Sequence, residues 1–218
     1  MKLYYAPASS YCQRVLIALY EKDLFFVPIE VNLFDPLVRQ QYQKINPFAK
    51  IPTLETNSGD IIFEASIIIE YLDLQFAQQP CLLNPDKLLE IRAIDRIIDV
   101  YINGGREVLF ADSQRPLELR GGKEVAKAQR LVETACVYLD NKLQNRIWLA
   151  GDEFSLADCT AAPTLNYLRL VYDYQHLPSL SKYVKRLESR PSVAKVQSEG
   201  RAQMSEMLAS LPYAMAFT

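Results

Sequence analysis

The sequence predicts a small α/β domain followed by an all-helical domain. The first third of the chain alternates short apolar runs with stretches of helical periodicity, whereas the remainder shows helical spacing and no convincing strand. Between them lies a segment with two prolines and an asparagine, a composition typical of a linker. We therefore predict an α/β domain over residues 1–77, a linker over 78–86 and an all-helical domain over 87–218.

The α/β domain is predicted to contain elements in the order β-α-β-α-β-β-α. Apolar and aromatic runs indicate the strands, and apolar residues at helical spacing indicate the helices. A helix joins the first two strands, which implies a parallel crossover, whereas the turn Thr56-Asn57-Ser58-Gly59 implies an antiparallel hairpin of the last two. The strands are predicted at 2–6, 25–31, 51–55 and 60–63, the helices at 10–22 and 64–76, and a polar stretch that is helical or irregular at 36–45.

The second domain is predicted to consist of helices separated by two breaks. Long apolar patterns of helical period are interrupted by segments at 112–122 and 145–154. Ser155 and Asp158 form a capping box, which marks the start of a buried helix and carries no chemistry. The helices are predicted at 86–110, 123–143, 156–172, 179–188 and 192–208.

The composition excludes several classes of protein. Hydrophobic residues make up 50% of the chain, and 24 Lys and Arg balance 26 Asp and Glu, so we expect a folded protein without the basic surface of a nucleic-acid binder. No stretch of about 18 apolar residues is present, and the N-terminus lacks the pattern of a secretory signal. We therefore expect a cytoplasmic protein with neither a nucleic-acid nor a membrane partner.

Histidine and cysteine usage limits the chemistry further. His176 is the only histidine, which rules out a two-histidine metal site, and its surroundings indicate a loop before a helix. The cysteines lie far apart and form no Cys-x-x-Cys pair, so neither a zinc site nor a disulfide framework is predicted. An enzyme with this sequence must use a hydroxyl, a lone thiol or a reactive group supplied by a substrate.

The segment before the first helix carries two hydroxyls at a position where a helix attracts negative charge. Ser9 or Ser10 can cap the helix, or one of them can donate a hydrogen bond to an anionic sulfur. Lowering a thiol pKa by about two units needs roughly 2.7 kcal/mol, which one charge-assisted hydrogen bond and the helix dipole can supply. Cys12 lies one turn into the helix, and we interpret it as an inert packed thiol rather than a redox group.

This segment resembles the active-site region of a known family. Ser9-Ser10-Tyr11-Cys12 looks like a thioredoxin or glutaredoxin Cys-x-x-Cys motif whose first cysteine is replaced by serine. Nearly the whole chain is similar to the cytosolic glutathione S-transferases of the serine-type classes (theta, zeta, phi and tau), and it is identified as a bacterial member. The activating serine of that family stands five residues before an arginine, as Ser9 stands before Arg14. The resemblance implies a thioredoxin-like fold for the first domain.

Two further motifs carry the resemblance. The family sequence Asn-Pro-x-Gly-x-Val-Pro stands here as Asn46-Pro47-Phe48-Ala49-Lys50-Ile51-Pro52, with Ala49 in place of glycine. By this resemblance the bond before Pro52 is cis, and the backbone of Ile51 pairs with the cysteinyl part of glutathione. The Glu-Ser pair that holds the γ-glutamyl head stands as Glu64-Ala65-Ser66, so Ala65 replaces the serine that binds the carboxylate. The N–H of Ala65, or Ser66 after a small shift, can still bind it.

A glutathione site at the start of the first helix is what the resemblance implies. Ser9 stabilises the thiolate of the co-substrate glutathione, with Ser10, Tyr11 and Cys12 as alternatives, and the thiolate attacks a small hydrophobic electrophile in detoxification. The resemblance also implies a homodimer, and we expect that no metal takes part. The glutathione-binding residues are Lys50, Ile51, Pro52, Glu64, Ala65 and Ser66, with Arg39 as a further candidate, and the electrophile pocket contains Tyr11, Tyr101, Arg106 and Phe110.

Two alternatives to a transferase stay open at this point. One is a glutathione-dependent isomerase or thiol reductase of the zeta or omega type, which the serine pair permits, although the zeta cysteine stands one position earlier than Cys12. The other is a non-catalytic binding or regulatory protein that has kept the fold, an interpretation supported by Ala49 and Ala65. The sequence does not predict the identity of the electrophile.

Overall fold

The computed structural model describes residues 1–77, 80–213 and 215 of the chain. Its first region has the predicted order βαβαββα. Residues 78 and 79 of the predicted linker, and 214 and 216–218 of the predicted helical domain, lie outside the described residues. The elements are β1 (Lys2–Tyr5), α1 (Ser10–Glu21), β2 (Val27–Glu30), α2 (Pro36–Tyr42), β3 (Thr53–Glu55), β4 (Ile61–Phe63) and α3 (Ala65–Gln75).

The strands form one mixed sheet in the order β2-β1-β3-β4, which is the thioredoxin-like arrangement that the resemblance implies. β1 pairs in parallel with β2 and antiparallel with β3, and β3 and β4 form a hairpin, so both predicted connections are confirmed. Side chains alternate between the two faces of a strand. Leu3 belongs to the core that α1 and α3 complete, whereas its neighbour Tyr4 contacts the ring of Tyr42 at the end of α2.

The second region contains no strand among its described residues, and it departs from prediction in its first helix. The stretch predicted as one helix over 86–110 is divided by a π-helical segment. Such wide turns are rare and often lie at functional sites, and the even apolar spacing of this stretch does not reveal one. The elements are a 3₁₀ turn (Pro85–Lys87), α4 (Leu88–Ile97), the π-helical segment (Ile98–Asn103), α5 (Gly104–Ser113), a second 3₁₀ turn (Leu117–Leu119), α6 (Lys123–Leu143), α7 (Leu156–Leu168), α8 (Pro178–Glu188) and α9 (Pro191–Ala209).

Helix α1 connects the two regions. It packs against α3 within its own region and against α7 and α9 of the helical region, so residues 12–19 are all buried. Arg14 is only 1% exposed, and it binds Asp99 at 2.8 Å and the hydroxyl of Thr164 at 3.1 Å. The guanidinium group of Arg14 is therefore bound by two elements of the helical region. These bonds fix the start of α1 relative to that region.

The remaining features of the described residues concern the capping box, the histidine, membrane-spanning helices and metal sites. The predicted capping box of Ser155 and Asp158 is present at the start of α7. His176 is exposed in the loop before α8 and contacts Glu133 at 3.4 Å. Within residues 1–77 and 80–213, no helix is long and apolar enough to cross a lipid bilayer. No group of three or more His, Cys, Asp or Glu in the described chain is placed to hold a metal ion.

Candidate functional site

The N-terminus of α1 is capped as the sequence predicts. Ser9 is the N-cap residue, and its hydroxyl accepts a hydrogen bond from the N–H of Cys12 at 3.4 Å. Because the helix uses the acceptor side of this hydroxyl, its proton can be donated either to the sulfur of Cys12 or to a bound molecule. Ser10 is 6% exposed, whereas Ser9 is partly exposed. Ser9 is therefore better placed than Ser10 to meet a bound molecule.

The loop that carries Ser9 is held by the helical region. The N–H of Ala8 donates to Oε1 of Gln203 at 2.8 Å, and the carbonyl of Ala8 accepts from the hydroxyl of Tyr167 at 3.0 Å. Gly200 of α9 lies so close that a Cβ there would stand 2.6 Å from a carbonyl oxygen of this loop. Only a glycine permits that approach, so the packing of α9 helps to set the position of Ser9.

Cys12 is a buried thiol. It is 0% exposed, and burial raises its pKa to about 12, although a hydrogen bond from Ser9 opposes this effect. A thiol that stays protonated at neutral pH is a poor nucleophile. The structure therefore favours the interpretation of Cys12 as a packing residue.

The N-terminus of α3 borders a cleft of about 370 Å³ between the two regions. No side chain caps this helix, so the N–H groups of its first turn are left to bind a ligand or water. The cleft brings Tyr11 together with the Glu64-Ala65-Ser66 motif, whereas Ser9 lies outside its lining. It is lined by Tyr11, Arg14, Glu64, Ala65, Ser66, Ile67, Glu70, Arg92, Asp95, Arg96 and Asp99.

The cations of this cleft are all paired with carboxylates. Arg92 binds Glu70 at 2.5 Å, and Asp99 binds both Arg14 at 2.8 Å and Arg96 at 3.2 Å. Arg14 is the buried member of this group, and the other two guanidinium groups are largely exposed. The cleft therefore offers no free guanidinium to a ligand anion, and the first turn of α3 is its main anion-binding element.

Two carboxylates of the cleft have no cationic partner within the described residues. The side chain of Glu64 is exposed and forms no hydrogen bond or ion pair there, whereas its backbone carbonyl accepts from the N–H of Ile68 at 2.9 Å. Asp95 accepts from the hydroxyls of Ser66 at 3.1 Å and Thr160 at 2.6 Å, and burial raises its pKa. Ser66 cannot donate to a bound carboxylate unless it breaks its bond to Asp95. Free helix N–H groups beside unpaired carboxylates suit a ligand that carries both a carboxylate and an ammonium group.

Two residues of the predicted motifs adopt backbone conformations that favour glycine. Ala49 has a φ of 47°, and Glu64 has a φ of 72°. The left-handed region costs a residue with a Cβ about 1–2 kcal/mol, which explains why the family sequence has glycine at the position of Ala49. Strained residues of this kind cluster at ligand sites, and Glu64 lies at the cleft itself.

The loop before β3 is built around a buried asparagine. Asn46 is 1% exposed and donates to the carbonyl of Lys50 at 2.8 Å and to the hydroxyl of Thr53 at 3.1 Å. The Ile51–Pro52 peptide bond is cis, as the resemblance implies. The side chain of Lys50 is exposed, and neither Lys50 nor the Ile51–Pro52 pair lines the cleft at α3. Arg39 on α2 is exposed as well.

The residues predicted for the electrophile pocket lie in three different settings. Tyr11 and Arg106 both contact Asn103, a fully buried residue that the sequence reasoning missed. Phe110 packs against a small apolar cluster that includes Ala8. Tyr101 is 44% exposed, and within the described chain it forms no hydrogen bond or ring contact with the other three. The structure therefore joins Tyr11 and Arg106 but does not bring Tyr101 to them.

Comparison with known proteins identifies the family. Two family models match, glutathione S-transferase N-terminal domain over residues 3–80 and glutathione S-transferase C-terminal domain over residues 97–191. Glutathione S-transferase F6 from Arabidopsis thaliana is 31% identical over 209 residues, which make up 90% of this chain and 98% of the relative. The chain belongs to the glutathione S-transferase family.

Other relatives of this family member differ in what their names describe. A glutathione S-transferase from Methylobacterium radiotolerans, solved in complex with glutathione sulfonate, shares 30% identity with a TM-score of 0.77, over 89% of this chain and 93% of the other. A stringent starvation protein A homolog from Coxiella burnetii is 27% identical over 95% of this chain and 96% of the relative. Membership of the family is therefore compatible with more than one function.

Proposed function

We propose that this protein binds glutathione and transfers its thiolate to a hydrophobic electrophile. The observation that carries the proposal is the cleft at α3, where free helix N–H groups lie beside the unpaired carboxylates of Glu64 and Asp95. This pattern complements the carboxylate and the ammonium of a γ-glutamyl head. The glutathione sulfonate in the relative from Methylobacterium radiotolerans supports a ligand of the same class.

In this proposal the two ends of glutathione are held by different parts of the first region. Glu64 receives the ammonium, and the first N–H groups of α3, at Ala65 and Ser66, receive the γ-glutamyl carboxylate. The backbone of Ile51, fixed next to Pro52, pairs with the cysteinyl part. The exposed side chains of Lys50 and Arg39 are the candidates for the glycyl carboxylate.

Ser9 is the residue that we assign to the thiolate. Its oxygen accepts from the helix, which leaves its proton to be donated to Cys12 or to a bound thiolate, and it stands at the positive end of α1. The burial of Ser10 and the raised pKa of Cys12 disfavour these two of the three alternatives, which leaves Tyr11, a residue of the cleft lining, as the remaining alternative. The thiol proton passes to solvent, the sulfur forms a bond to the electrophilic carbon, and the bonding electrons of that carbon leave with a leaving group or shift along a π system.

The wider setting of this activity is also proposed from the resemblance. We infer a cytoplasmic homodimer with a role in detoxification, built from domains over 1–77 and 87–218 that are joined by a linker over 78–86. The separate matches of an N-terminal and a C-terminal family model support this division. The electrophile is expected to bind between the domains, near Tyr11 and Arg106.

A second candidate function is a binding or regulatory protein without transferase activity. It is favoured by the relative from Coxiella burnetii, whose name describes a starvation protein, and by the loss of the serine at Ala65. A thiol reductase is less well supported, because the thiol of Cys12 is buried and its pKa is raised. An isomerase of the zeta type also requires bound glutathione. The measurement of glutathione binding therefore tests this alternative together with the transferase.

Calorimetry with glutathione, combined with conjugation assays, tests this proposal. We expect binding of glutathione and conjugation of at least one electrophile from a panel of aryl halides, a benzyl halide and enals. Binding without conjugation of any of them favours the regulatory alternative. A protein that neither binds glutathione nor conjugates any member of the panel contradicts the proposed function.

A further inference from the structure

A second concave site, which we call the α7–α9 groove, lies between these two helices beside the start of α1. Its volume of about 540 Å³ is within the range of small-molecule sites. It shares no lining residue with the cleft at α3, and none of the four residues predicted for the electrophile pocket lines it. The groove is therefore separate from the residues that the proposed function uses. Its chemically distinctive lining residues are Tyr167, Arg169, Arg201, Met204, Leu208 and Met215.

The floor of the groove is apolar. Tyr167, Met204 and Leu208 are buried and belong to one small cluster, against which Met215 packs. Methionine side chains are unbranched and polarisable, so they adjust to ligands of different shape. The floor therefore offers a surface that suits the apolar body of a small molecule.

The walls of the groove are held in place by hydrogen bonds. The hydroxyl of Tyr167 donates to the carbonyl of Ala8 at 3.0 Å and accepts from Nε2 of Gln13 at 2.9 Å. The same Nε2 also donates to the carbonyl of Pro7 at 2.9 Å, and Gly200 packs against that carbonyl. Because these side chains are already ordered, a ligand does not pay the entropic cost of fixing them.

The rim of the groove carries an unpaired cation. The side chain of Arg201 on α9 is exposed, and its guanidinium group forms no hydrogen bond or ion pair with any described residue. Residues three and four positions apart face each other on a helix. At these distances from Arg201 the helix has only uncharged side chains, namely Gln197, Ser198, Met204 and Ser205.

The groove contains a second guanidinium group and no carboxylate. Arg169, at the end of α7, donates from Nε to the hydroxyl of Tyr174 at 2.9 Å, and its Nη2 pairs with Glu188 outside the groove. None of the described lining residues is acidic. An apolar groove with cations at its rim and no acidic residue complements a ligand that is both hydrophobic and anionic. Arg201 is the cation that is left to bind such a ligand.

We propose that the α7–α9 groove binds a hydrophobic carboxylate. Its apolar chain lies against Met204, Leu208 and Met215, and its carboxylate pairs with Arg201. The two oxygens of a carboxylate match the two parallel N–H donors of a guanidinium group, which gives the pairing a fixed direction. This site does not depend on the proposed function, because no group assigned to glutathione takes part in it.

Calorimetry with decanoate and 1-decanol, which share an apolar chain and differ in head group, tests the role of the charge. In Arg201→Gln we expect the Kd of decanoate to rise about fivefold, as expected for the loss of one exposed charge pair, and the Kd of 1-decanol to change less than about twofold. Arg130→Gln, an exposed change on α6 outside the groove, is the matched control and should leave both values unchanged.

A variant that fills the groove tests its location. Ser205 is an exposed lining residue, and Ser205→Trp places a large ring in the groove, so we expect the Kd of both compounds to rise at least tenfold. If thermal unfolding shows that this variant is not folded, Ala209→Phe, one turn later on the same face of α9, provides the same obstruction. In the wild-type protein, decanoate should leave the Kd of glutathione and the KM of benzyl chloride unchanged.

Several results would overturn this inference while the proposed function stands. These are the absence of decanoate binding to the wild-type protein, an unchanged Kd of decanoate in Arg201→Gln, or binding that persists in both filled variants. Competition of decanoate with benzyl chloride would place it in the electrophile pocket, and competition with glutathione would place it in the cleft at α3. Conversely, a protein that binds decanoate in the groove but neither binds glutathione nor conjugates an electrophile contradicts only the proposed function.

Discussion

The two helix N-termini of the candidate site differ in charge and in burial. Helix α1 begins with hydroxyls and a buried thiol, and its first turn contains no acidic residue. Helix α3 begins at a cleft that carries four carboxylates and three guanidinium groups, with Glu64 in a strained conformation. The N-terminus of α1 is therefore almost neutral and well packed, whereas the N-terminus of α3 is charged and borders a cleft.

This difference teaches that the helix dipole alone does not decide what each end binds. Both ends present free N–H groups, which favour any anion by about 0.3–1 kcal/mol. At α1 the hydroxyl of Ser9 adds a single donor, which suits one anionic sulfur. At α3 the carboxylates of Glu64 and Asp95 add a site for a cation, which suits a zwitterion. We therefore expect mutations to separate the chemistry, at α1, from glutathione affinity, at α3.

Removal of the Ser9 hydroxyl should have the largest effect. In Ser9→Ala we expect kcat/KM for conjugation to fall at least tenfold while the Kd of glutathione changes less than about twofold, because a hydrogen bond to a charged group contributes about 1.5–3 kcal/mol. The pH at which bound glutathione ionises should rise, since the thiolate loses its donor. Kinetics with benzyl chloride and calorimetry measure the two quantities.

Two further variants control for other consequences of this change. Ser9→Ala also removes the helix cap, which costs about 1 kcal/mol of unfolding free energy, whereas Ser9→Thr keeps both the cap and the donor and should retain activity. Cys12→Ser should leave conjugation nearly intact. Unchanged activity in Ser9→Ala would move the thiolate role to Ser10 or Tyr11 and would remove the contrast between the two helix ends.

The order of elements in the first region is predictable because it depends on local patterns. The hairpin turn before β4, the N-cap at Ser9 and the capping box at Ser155 each rest on residues close in sequence, and the structure contains all three. The boundaries are less predictable. The second strand was expected from residue 25, but Phe25 is 85% exposed and the strand begins at Val27, because aromatic character alone does not show that a residue is paired.

The site depends on contacts that local patterns do not contain. Asp95 and Asn103 lie in stretches of even helical period, and only the packing of α3, α4 and α7 shows that Asp95 is buried beneath Ser66. The π-helical segment that ends at Asn103 leaves no mark in the apolar spacing. The sequence shows that Ala49 stands where the family motif has glycine. Its positive φ, however, follows only from the folded loop.

Removal of the Glu64 carboxylate should have a smaller effect, confined to binding. We expect Glu64→Ala to raise the Kd of glutathione about fivefold and to leave kcat at saturating glutathione within about twofold, because an exposed charge pair is worth on the order of 1 kcal/mol. Alanine carries the same Cβ at the same φ, so the unfolding free energy should not change. Calorimetry and thermal unfolding provide the measurements.

An exposed glutamate elsewhere provides the matched control for this experiment. The side chain of Glu133 on α6 forms an ion pair with His176 far from the cleft lining, and Glu133→Ala should leave the Kd of glutathione unchanged. A fall in kcat for Glu64→Ala as large as the rise in Kd would show that the charged end of the site takes part in the chemistry. The separation between α1 and α3 would then be wrong.

The smallest expected effect is a gain, from restoring the family serine at Ala65. Ala65→Ser places a hydroxyl donor at the first residue of α3, where the γ-glutamyl carboxylate is proposed to lie, and we expect the Kd of glutathione to fall about threefold with kcat unchanged. The gain is limited because Ala65 is 4% exposed and its neighbours leave little room for the new oxygen. Ala194→Ser, on the exposed side of α9, is the matched control. An unchanged Kd for both variants would mean that no carboxylate lies within reach of a hydroxyl at this helix end, and the zwitterion site would have to lie elsewhere in the cleft.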